Sequence, residues 1–544
     1  MSPFAELVLE NGTLYTLEAQ GRRATALAVK GNRIAAVGDA DAVAPWIGPD
    51  TVRLDLAGRS AIPGIVDSHC HPDAYAVRRL KWLDLSPEHI LDRDGLLAAL
   101  KSRGQALPAD HWLVGYRFDD TKSGGYPTME ELDAVADGRP LFVLRTDGHL
   151  GLANRAAFGA CGIAPDAPDP PFGRYDRCPQ TGALTGVVRE TATHQFLRQL
   201  HRGDTPEEVA AGLEAVLGEF LSYGITTVYN SLTPRVAIDA YQRLREAGRL
   251  PLRVGIIASG REEGLIEALI QAGIRSGFGD DWLRLIGVEW CPDCSTSGRT
   301  AAYYAPYRGT PVPGEPVLNT GMLLYRADDL KGRAVAAHCA GLQVMIEGVG
   351  DRGIDFALDA IEACLAACPR PDHRMRVEHC CHVTPAILAR LKALEVIDSS
   401  ATGFMYDLGD AYVAHRGMDA MAYMWPHRTL IDAGVPAPGH SDAMVCRINP
   451  FTALWAMVNR KSDSGQSLDP RQAVTLEEAL EAYTWLGAHS GREEHLKGGL
   501  AVGKLADIAV LDRDLTTLDD DEILDLRVDL TLVDGQVRYQ RHDL

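Results

Sequence analysis

The 544-residue sequence contains no long hydrophobic run and no excess of positive charge. A membrane-spanning helix needs about 20 consecutive apolar residues, and no uninterrupted run approaches that length. The 54 lysines and arginines are outnumbered by 74 aspartates and glutamates, which gives a formal net charge of −20. Because nucleic acids and anionic membranes are bound through clustered basic residues, we expect neither as a partner.

Cysteine is also sparse, since the 11 cysteines are an odd number scattered through a long chain. A disulfide framework is therefore not expected. The first residues show neither the basic segment nor the apolar segment of a secretion signal. From these absences we predict a cytoplasmic protein.

Short apolar, β-branched runs alternate with helical patterns through the middle of the chain, as they do in repeated βα units. Eight such runs are the number that a closed parallel barrel needs, so we predict an α/β fold with a (β/α)8, TIM-like barrel. The predicted strands are 61–68, 225–229, 252–257, 283–290, 334–338, 374–379, 396–400 and 435–442.

Both ends of the chain instead consist of short strands separated by turns that contain glycine and asparagine. We predict that residues 1–60 and 495–544 form one small composite β-sandwich domain, and that residues 61–494 form the barrel. Residues 72–205 interrupt the βα alternation. We place them as an inserted subdomain over the barrel mouth, where loops commonly carry function.

Potential metal ligands stand on five of the predicted strands. Because the C-terminal ends of all strands in a parallel barrel lie at one mouth, such groups converge there although they are far apart in sequence. Imidazole and carboxylate are the ligands expected for zinc, and also for iron or manganese. The residues are His69 and His71 on strand one, Glu289 on strand four, His338 on strand five, His379 on strand six and Asp442 on strand eight.

Each of these residues also has an ordinary structural explanation. A lone His-x-His motif such as His69-Cys70-His71 arises by chance or as a hydrogen-bonded core pair. A histidine at the end of a strand is commonly satisfied by a nearby carbonyl, and Asp442 can cap a helix or a turn. The coincidence on strands one, four, five, six and eight is what favours a metal site.

The arrangement closely resembles the amidohydrolase superfamily, whose ligand-bearing strands are the same five. Finer motifs resemble its amidohydrolase 3, or YtcJ-like, branch, which includes N-substituted formamide deformylases. The resemblance runs along nearly the whole chain and is specific for the family, not for a substrate. The motifs are IPGIVDSHCH at 62–71, TDGH at 146–149, GVVRE at 186–190, SGRTAA at 297–302, SDA at 441–443 and GGLAVGKLADI at 498–508.

Two positions depart from the pattern of that branch. The resemblance implies a carboxylated lysine on strand four that bridges two metal ions, whereas this chain has Glu289. Glutamate is shorter, so one or two bound ions are both open, with Cys291 as a reserve ligand. A Gly-Asp pair commonly follows the strand-five histidine, whereas Gly341-Leu342 follow His338, and we expect that change to alter the pocket.

The resemblance implies that a divalent metal ion, with zinc the favoured one, activates a water molecule that attacks a carbonyl-type carbon. By resemblance and position, Asp442 takes the water proton and passes it to the leaving nitrogen, and His149 donates to the developing oxyanion. A lid role for His149 remains open. The residues expected to line the substrate pocket, each of which has ordinary packing as its alternative, are Tyr116, Arg117, Trp290 and Met405.

The sequence therefore predicts a metal-dependent hydrolase that cleaves a non-peptide C–N bond of a small amide, formamide or carbamoyl compound. The alternatives are deamination, ester or lactone hydrolysis and decarboxylation at the same site, or a non-catalytic regulator on the same scaffold. A homodimer is the commonest closed assembly. We further expect Arg189 and Glu190 to form an ion pair. Residues expected to orient the ligand imidazoles are Asp67, Glu378 and His382.

Overall fold

The computed structural model describes residues 3–18, 22–108, 110–311 and 315–541. The N-terminal strands are β1 (Leu7–Glu10), β2 (Thr13–Tyr15), β3 (Arg23–Ala24), β4 (Ala26–Lys30), β5 (Arg33–Gly38), β6 (Val52–Asp55) and β7 (Ser60–Pro63). Next come β8 (Ile65–Cys70), β9 (Leu83–Asp84), β10 (Leu113–Phe118), β11 (Leu141–Arg145), β12 (Leu150–Ala153), β13 (Gly173–Arg177) and β14 (Leu184–Glu190). The remaining strands are β15 (Ile225–Thr233), β16 (Arg253–Ser259), β17 (Leu283–Trp290), β18 (Val344–Gly348), β19 (Arg376–His379), β20 (Ile397–Ser400), β21 (Ile508–Leu511), β22 (Val528–Val533) and β23 (Gln536–Gln540).

The helices lie between these strands. The first nine are α1 (Ala40–Val43), α2 (Pro72–Lys81), α3 (Arg93–Ala106), α4 (Met129–Ala136), α5 (Arg155–Ala160), α6 (Thr191–Leu200), α7 (Pro206–Leu221), α8 (Arg235–Glu246) and α9 (Leu265–Gln271). They are followed by α10 (Ala327–Cys339), α11 (Asp351–Ala367), α12 (Pro385–Ala393), α13 (Gly403–Arg416), α14 (His427–Ala433), α15 (Pro450–Asn459), α16 (Leu476–Ala482) and α17 (Trp485–Ser490).

Seven parallel strands form the central sheet in the order β8-β15-β16-β17-β18-β19-β20. Their residues are almost all buried, as expected for parallel strands that helices cover on the outside. Helix α7 shows how the sequence encodes such a cover. Thr205 caps its first turn in a reciprocal box with Glu208, and its inward face buries Leu213, Leu217 and Phe220.

An extended segment, residues 435–440, fills the eighth position of the barrel. The backbone N–H of Asp398 in β20 donates to the carbonyl of Pro436 at 3.0 Å. On the other side, the Ser68 hydroxyl in β8 donates to the carbonyl of Gly439 at 2.9 Å. Two of the six residues are prolines, which have no N–H to return, so no regular strand forms. The predicted TIM-like fold is confirmed, with seven regular strands and a nearly closed barrel.

The predicted fifth strand is wrong. Residues 334–338 belong to α10, because an alanine-rich stretch has high helix propensity. The turn after the helix contains Gly341 with φ of +98°, a conformation that favours glycine. The true fifth strand, β18, begins at Val344.

The predicted first strand is divided by Gly64. Its N-terminal part is β7 in a terminal sheet, and its C-terminal part is β8 in the barrel. A Cβ atom at Gly64 would lie 2.2 Å from the Thr226 hydroxyl oxygen, so only glycine fits this crossing. The chain thus passes directly from the terminal sheet into the strand that carries His69.

Strands from both ends of the chain form one six-stranded sheet in the order β23-β22-β21-β7-β2-β3. A four-stranded sheet, β5-β4-β1-β6, shares an apolar core with it that includes Leu14, Leu27 and Leu532. The composite-domain boundaries at residues 60 and 495 stay a prediction.

The predicted insertion contains a fourth sheet, in the order β13-β14-β12-β11-β10-β9. Arg189 on β14 pairs there with Asp176 at 2.8 Å and donates to the carbonyl of Gly298 at 3.1 Å. The predicted ion pair between Arg189 and Glu190 is therefore wrong, because adjacent residues of a strand point to opposite faces.

Cys339 and Cys368 form a disulfide between the ends of α10 and α11, which the sequence analysis did not predict. Within the described ranges, no helix is long and apolar enough to cross a membrane.

Candidate metal centre

His69 and His71 project from the end of β8 toward Asp442. The His71 Nε2 atom lies 3.1 Å from Asp442 Oδ1, and His69 Nε2 lies 3.6 Å from the same oxygen. One ligand atom from each of the three residues falls within 4.8 Å of the others. Two imidazoles and a carboxylate at this spacing fit a divalent first-row ion.

Backbone contacts hold Asp442 beside β8. Its N–H donates to the carbonyl of His69 at 3.1 Å, and the N–H of His71 donates to the carbonyl of Ala443 at 2.6 Å. Asp442 and His379 have φ of +52° and +65°, in the left-handed region that side-chain-bearing residues disfavour. Strain of this kind persists only where the surrounding structure over-determines the backbone, and it is concentrated at functional sites.

A buried carboxylate orients the ring of His69. The Glu378 carboxylate accepts from His69 Nδ1 at 2.8 Å, which leaves Nε2 of that ring facing Asp442. Arg376 donates two hydrogen bonds, of 2.6 and 2.7 Å, to the same carboxylate. Burial and the neighbouring charge of His379 lower the pKa of His69 well below its usual value, so this ring is neutral and offers a lone pair.

Of the other two residues expected to orient ligands, only Asp67 lies next to one. Its carboxylate accepts from the backbone N–H and the hydroxyl of Ser441, the residue before Asp442. His382 instead lies 3.8 Å from Asp351, and no contact to a ligand imidazole is present among the described residues.

His379 at the end of β19 faces Glu347 at the end of β18. The Nε2 atom of His379 lies 3.4 Å from Glu347 Oε1, and its ring centroid lies 4.7 Å from that of His69. Burial opposes charge on both groups. The His379 imidazolium nevertheless lowers the pKa of Glu347 to about 2, and the carboxylates of Asp442 and Glu347 raise the pKa of His379 to about 9.

Glu347 is the strand-five carboxylate that the sequence reasoning missed. The signal was present in Val344-Met345-Ile346, an apolar run that ends in an acid and follows the glycine turn. With strand five at this place, Gly350 and Asp351 follow it. The departure inferred at Gly341-Leu342 is therefore also wrong.

Glu289 on β17 has one oxygen without a partner. The Ser231 hydroxyl donates to Glu289 Oε2, while Oε1 is buried and makes no hydrogen bond. The carbonyl of Ser231 accepts from His71 Nδ1 at 3.2 Å, so one residue on β15 links Glu289 to the His-x-His motif. Burial and the charge of Glu378 raise the pKa of Glu289. An unpaired buried carboxylate oxygen beside imidazoles fits a cation ligand.

His149 reaches the site from the turn between β11 and β12. Its Nδ1 donates to Glu190 Oε2 at 2.8 Å, and its Nε2 lies 4.0 Å from Glu347 Oε1. Burial disfavours charge on the ring, but the Glu190 carboxylate raises the pKa of His149 to about 9. The ring is thus a cationic donor at neutral pH, with Nε2 directed toward the candidate metal ligands.

His338 does not lie with these residues. It sits on α10, which leads into the N-terminal end of β18 and so lies on the side opposite the mouth. Its Nε2 donates to the carbonyl of Cys368 at 2.8 Å. The predicted placement of His338 at the end of strand five is wrong, and with it the reason for assigning it to the metal site.

The four predicted pocket residues have different surroundings. Tyr116 is buried in the core of the insertion against Trp82, with ring centroids 6.4 Å apart. Met405 is fully buried and accepts at its sulfur from Arg460 at 3.0 Å. Arg117 pairs with Asp84 at 3.2 Å beside a surface cavity, and Trp290 is buried at the end of β17. Tyr116 and Met405 therefore occupy packed interior.

Known proteins resemble this chain in both sequence and fold. The Amidohydrolase family matches residues 53–539. The N-substituted formamide deformylase of Arthrobacter pascens is 28% identical over 99% of both chains. A metal-dependent hydrolase structure from Pyrococcus horikoshii OT3 superposes with a TM-score of 0.75 at 23% identity, covering 95% of this chain and 99% of the other. The zinc complex of atrazine chlorohydrolase TrzN from Arthrobacter aurescens TC1 gives a TM-score of 0.53 at 14% identity, over 98% and 94%, which shows a shared fold.

Proposed function

The chain belongs to the amidohydrolase family, and from that membership we propose that it hydrolyses a non-peptide C–N bond of a small amide, formamide or carbamoyl compound. The similarity to a formamide deformylase along the whole chain supports this bond type. The observation that carries the proposal is the convergence of His69, His71 and Asp442 within 4.8 Å at the barrel mouth.

His69, His71 and Asp442 would hold a divalent ion, with His379, Glu347 and Glu289 next to it. Zinc suits this mixture of nitrogen and oxygen ligands, and iron or manganese suits it too. When bound, the ion supplies Lewis acidity, which makes water acidic near neutral pH and polarises a carbonyl group. Glu289 and Glu347 place two carboxylates on strands four and five, so one or two ions both fit.

Asp442 is placed to move the proton. Burial opposes its charge, yet the neighbouring His379 and His71 lower the pKa of Asp442, so it is a carboxylate that can accept a proton from water. Breaking the C–N bond requires that this proton reach the leaving nitrogen, and we assign both transfers to Asp442. His149, held by Glu190, is positioned to donate from Nε2 to the oxygen that gains charge in the transition state.

The test has two readouts. Metal-reconstituted protein is assayed with a panel of amides, formamides, carbamates, esters and lactones, with amine, ammonia and carbon dioxide measured separately. Amine release supports the proposal. Ammonia from a primary amide supports it too, whereas ammonia from a compound with no amide or carbamoyl group indicates deamination. Carbon dioxide alone indicates decarboxylation, and no turnover of any compound supports a non-catalytic regulator.

The second readout is the metal content of Glu289→Ala. We expect one to two divalent ions per wild-type chain by elemental analysis. The variant should hold fewer, or bind metal at least about tenfold more weakly. Glu267→Ala, which removes an exposed carboxylate 3.7 Å from Arg333, is the matched control. An unchanged metal count and rate in Glu289→Ala would remove Glu289 from the site.

A further inference from the structure

Arg78 on α2 is a buried cation that forms no ion pair with any described residue. Its side chain lies over the Trp82 ring, 5.3 Å from the centroid, and the residue is only 8% exposed. Its Nη1 donates to the sulfur of Met444 at 3.1 Å, and its Nε has no partner. No carboxylate oxygen of the described chain lies within 4.0 Å of the guanidinium. Met444 follows Asp442 by two residues, so Arg78 contacts the segment that carries this candidate metal ligand.

Arg261 follows β16 and approaches the same centre from another side. Its Nη2 donates to Cys291 Sγ at 2.6 Å. That sulfur lies within 4.8 Å of a ring nitrogen of His149 and of a carboxylate oxygen of Glu347. Arg261 is exposed to solvent whereas Cys291 is buried, so the guanidinium points inward toward the site. Over the described ranges it too has no carboxylate within 4.0 Å.

Arg460 shows how a buried arginine without an ion pair is usually satisfied. Arg460 is also buried and has no ion-pair partner in the part of the chain that the structure describes, but its guanidinium donates to the backbone carbonyls of Leu468, Trp425 and Met424. Among the described residues, the side-chain N–H groups of Arg78 and Arg261 each have one sulfur acceptor and no oxygen acceptor. Sulfur is a weak acceptor, and a guanidinium has five N–H donors. For Arg78, a buried cation with unmet donors is costly unless an anion joins it, and the solvent-exposed Arg261 can offer its donors to the same anion.

The two cations also act on each other. Burial first, and then the positive charge of Arg261, lower the pKa of Arg78 to about 10, although Asp73 opposes this shift. An anion between the guanidinium groups would relieve this repulsion and satisfy their free donors.

We propose that Arg78 and Arg261 form an anion subsite that binds a carboxylate of the substrate beside the metal centre. The inference rests on the proposed function and narrows it to N-formyl, N-acyl or N-carbamoyl derivatives of amino acids. Hydrolysis adds water across the C–N bond: oxygen joins the carbonyl carbon, the bond to nitrogen breaks, and a proton passes to that nitrogen. The nitrogen-containing product is the free amino acid, and its carboxylate is still bound by the two arginines when the C–N bond breaks.

A carboxylate is favoured because its two oxygens match the planar donor fork of arginine. The test uses matched pairs of N-formyl amino acids and their uncharged N-formyl amino acid amides, with alanine and phenylalanine in both enantiomers. In wild type, we expect kcat/KM for the acid to exceed that for the amide by about 100-fold. Inorganic phosphate serves as a competitor, and inhibition by phosphate stronger than by acetate would assign the subsite to phosphate esters instead.

The variants separate the subsite from the reaction. Arg261→Met should lower kcat/KM for the acid by about 100-fold and leave that for the amide unchanged. Arg261→Lys keeps a charge and should lose less, whereas Arg471→Met, at an arginine 78% exposed, should change neither substrate. Arg78→Met should act like Arg261→Met if its thermal unfolding matches wild type.

Equal turnover of acid and amide by wild type, or an equal loss for both in Arg261→Met, would overturn the subsite and leave the proposed function intact. If neither compound is turned over and the wider panel is not turned over either, the proposed function fails instead. Calorimetric titration of N-formylphenylalanine into the same proteins then decides the subsite. Binding to wild type that is lost in Arg261→Met supports it, and absence of binding to wild type refutes it.

Discussion

Glu378→Gln tests whether the geometry of the metal centre is maintained by residues that never touch the metal. The substitution keeps the size of the side chain and removes its charge. The Glu378 carboxylate accepts three charge-assisted or imidazole hydrogen bonds, two from Arg376 at 2.6 and 2.7 Å and one from His69 at 2.8 Å. All three residues are at most 1% exposed, so water cannot replace what is lost.

The magnitude follows from these contacts. The amide oxygen of glutamine can still accept one of the three bonds, so two are lost, each worth about 1.5–3 kcal/mol when a charged group takes part. The free energy of unfolding of the metal-free protein should therefore fall by about 3–5 kcal/mol, the usual cost of breaking a buried ion pair. The His69 ring also loses its acceptor, and metal affinity should fall by about 10- to 100-fold.

Urea unfolding of chelator-treated protein measures the first quantity, and competition with a zinc indicator measures the second. Glu10→Gln is the matched control, because Glu10 pairs with Arg53 at 2.8 Å where the arginine is 56% exposed. It should cost about 0–1 kcal/mol and leave metal affinity unchanged. If Glu378→Gln behaved like this control, the orienting role of Glu378 would be refuted.

Two further predictions concern histidines whose roles the structure separates. His338→Ala should leave metal content and kcat/KM within about twofold of wild type, because its ring bonds the carbonyl of Cys368, and it should lower the free energy of unfolding by about 1–2 kcal/mol in urea. A lower metal content in His338→Ala than in wild type would show that His338 is a metal ligand after all. Glu190→Gln should shift the alkaline limb of the kcat–pH profile from about 9 toward about 6.5, because burial disfavours the charged ring of His149 and Glu190 has the largest of the carboxylate effects that raise its pKa to about 9, ahead of Glu347 and Asp147. Since the folded-state pKa is the higher one, the pair contributes fully below about pH 6.5 and is lost as the pH rises through about 9. An unmoved limb would exclude His149 as the donor.

The sequence predicted those features that depend on neighbours along the chain. The alternation of apolar runs and helices identified the parallel barrel, because strand and helix periodicities are local. His69, His71, His379 and Asp442 were found because each lies at or just after the end of its strand, and a parallel barrel brings strand ends to one mouth. Glu289 was found in the same way.

Local patterns misled where two residue preferences competed. The alanine-rich stretch before His338 was apolar enough to resemble a strand, but helix propensity prevailed, and Glu347 took the strand-five position instead. The last barrel segment kept its place without becoming a regular strand, because its prolines have no N–H to donate.

What the sequence by itself determined was thus the barrel and most of the residues at its mouth. Only the tertiary structure decided the partners of those residues. Glu378 reaches His69 across 309 positions, and Glu190 rather than Arg189 engages the insertion's His149. The approach of Arg78 and Arg261 to one centre, with no ion-pair partner for either among the described residues, is likewise invisible along the chain. Hydrogen bonds and charges act over a few ångströms in space, and sequence separation carries no information about that distance until the chain has folded.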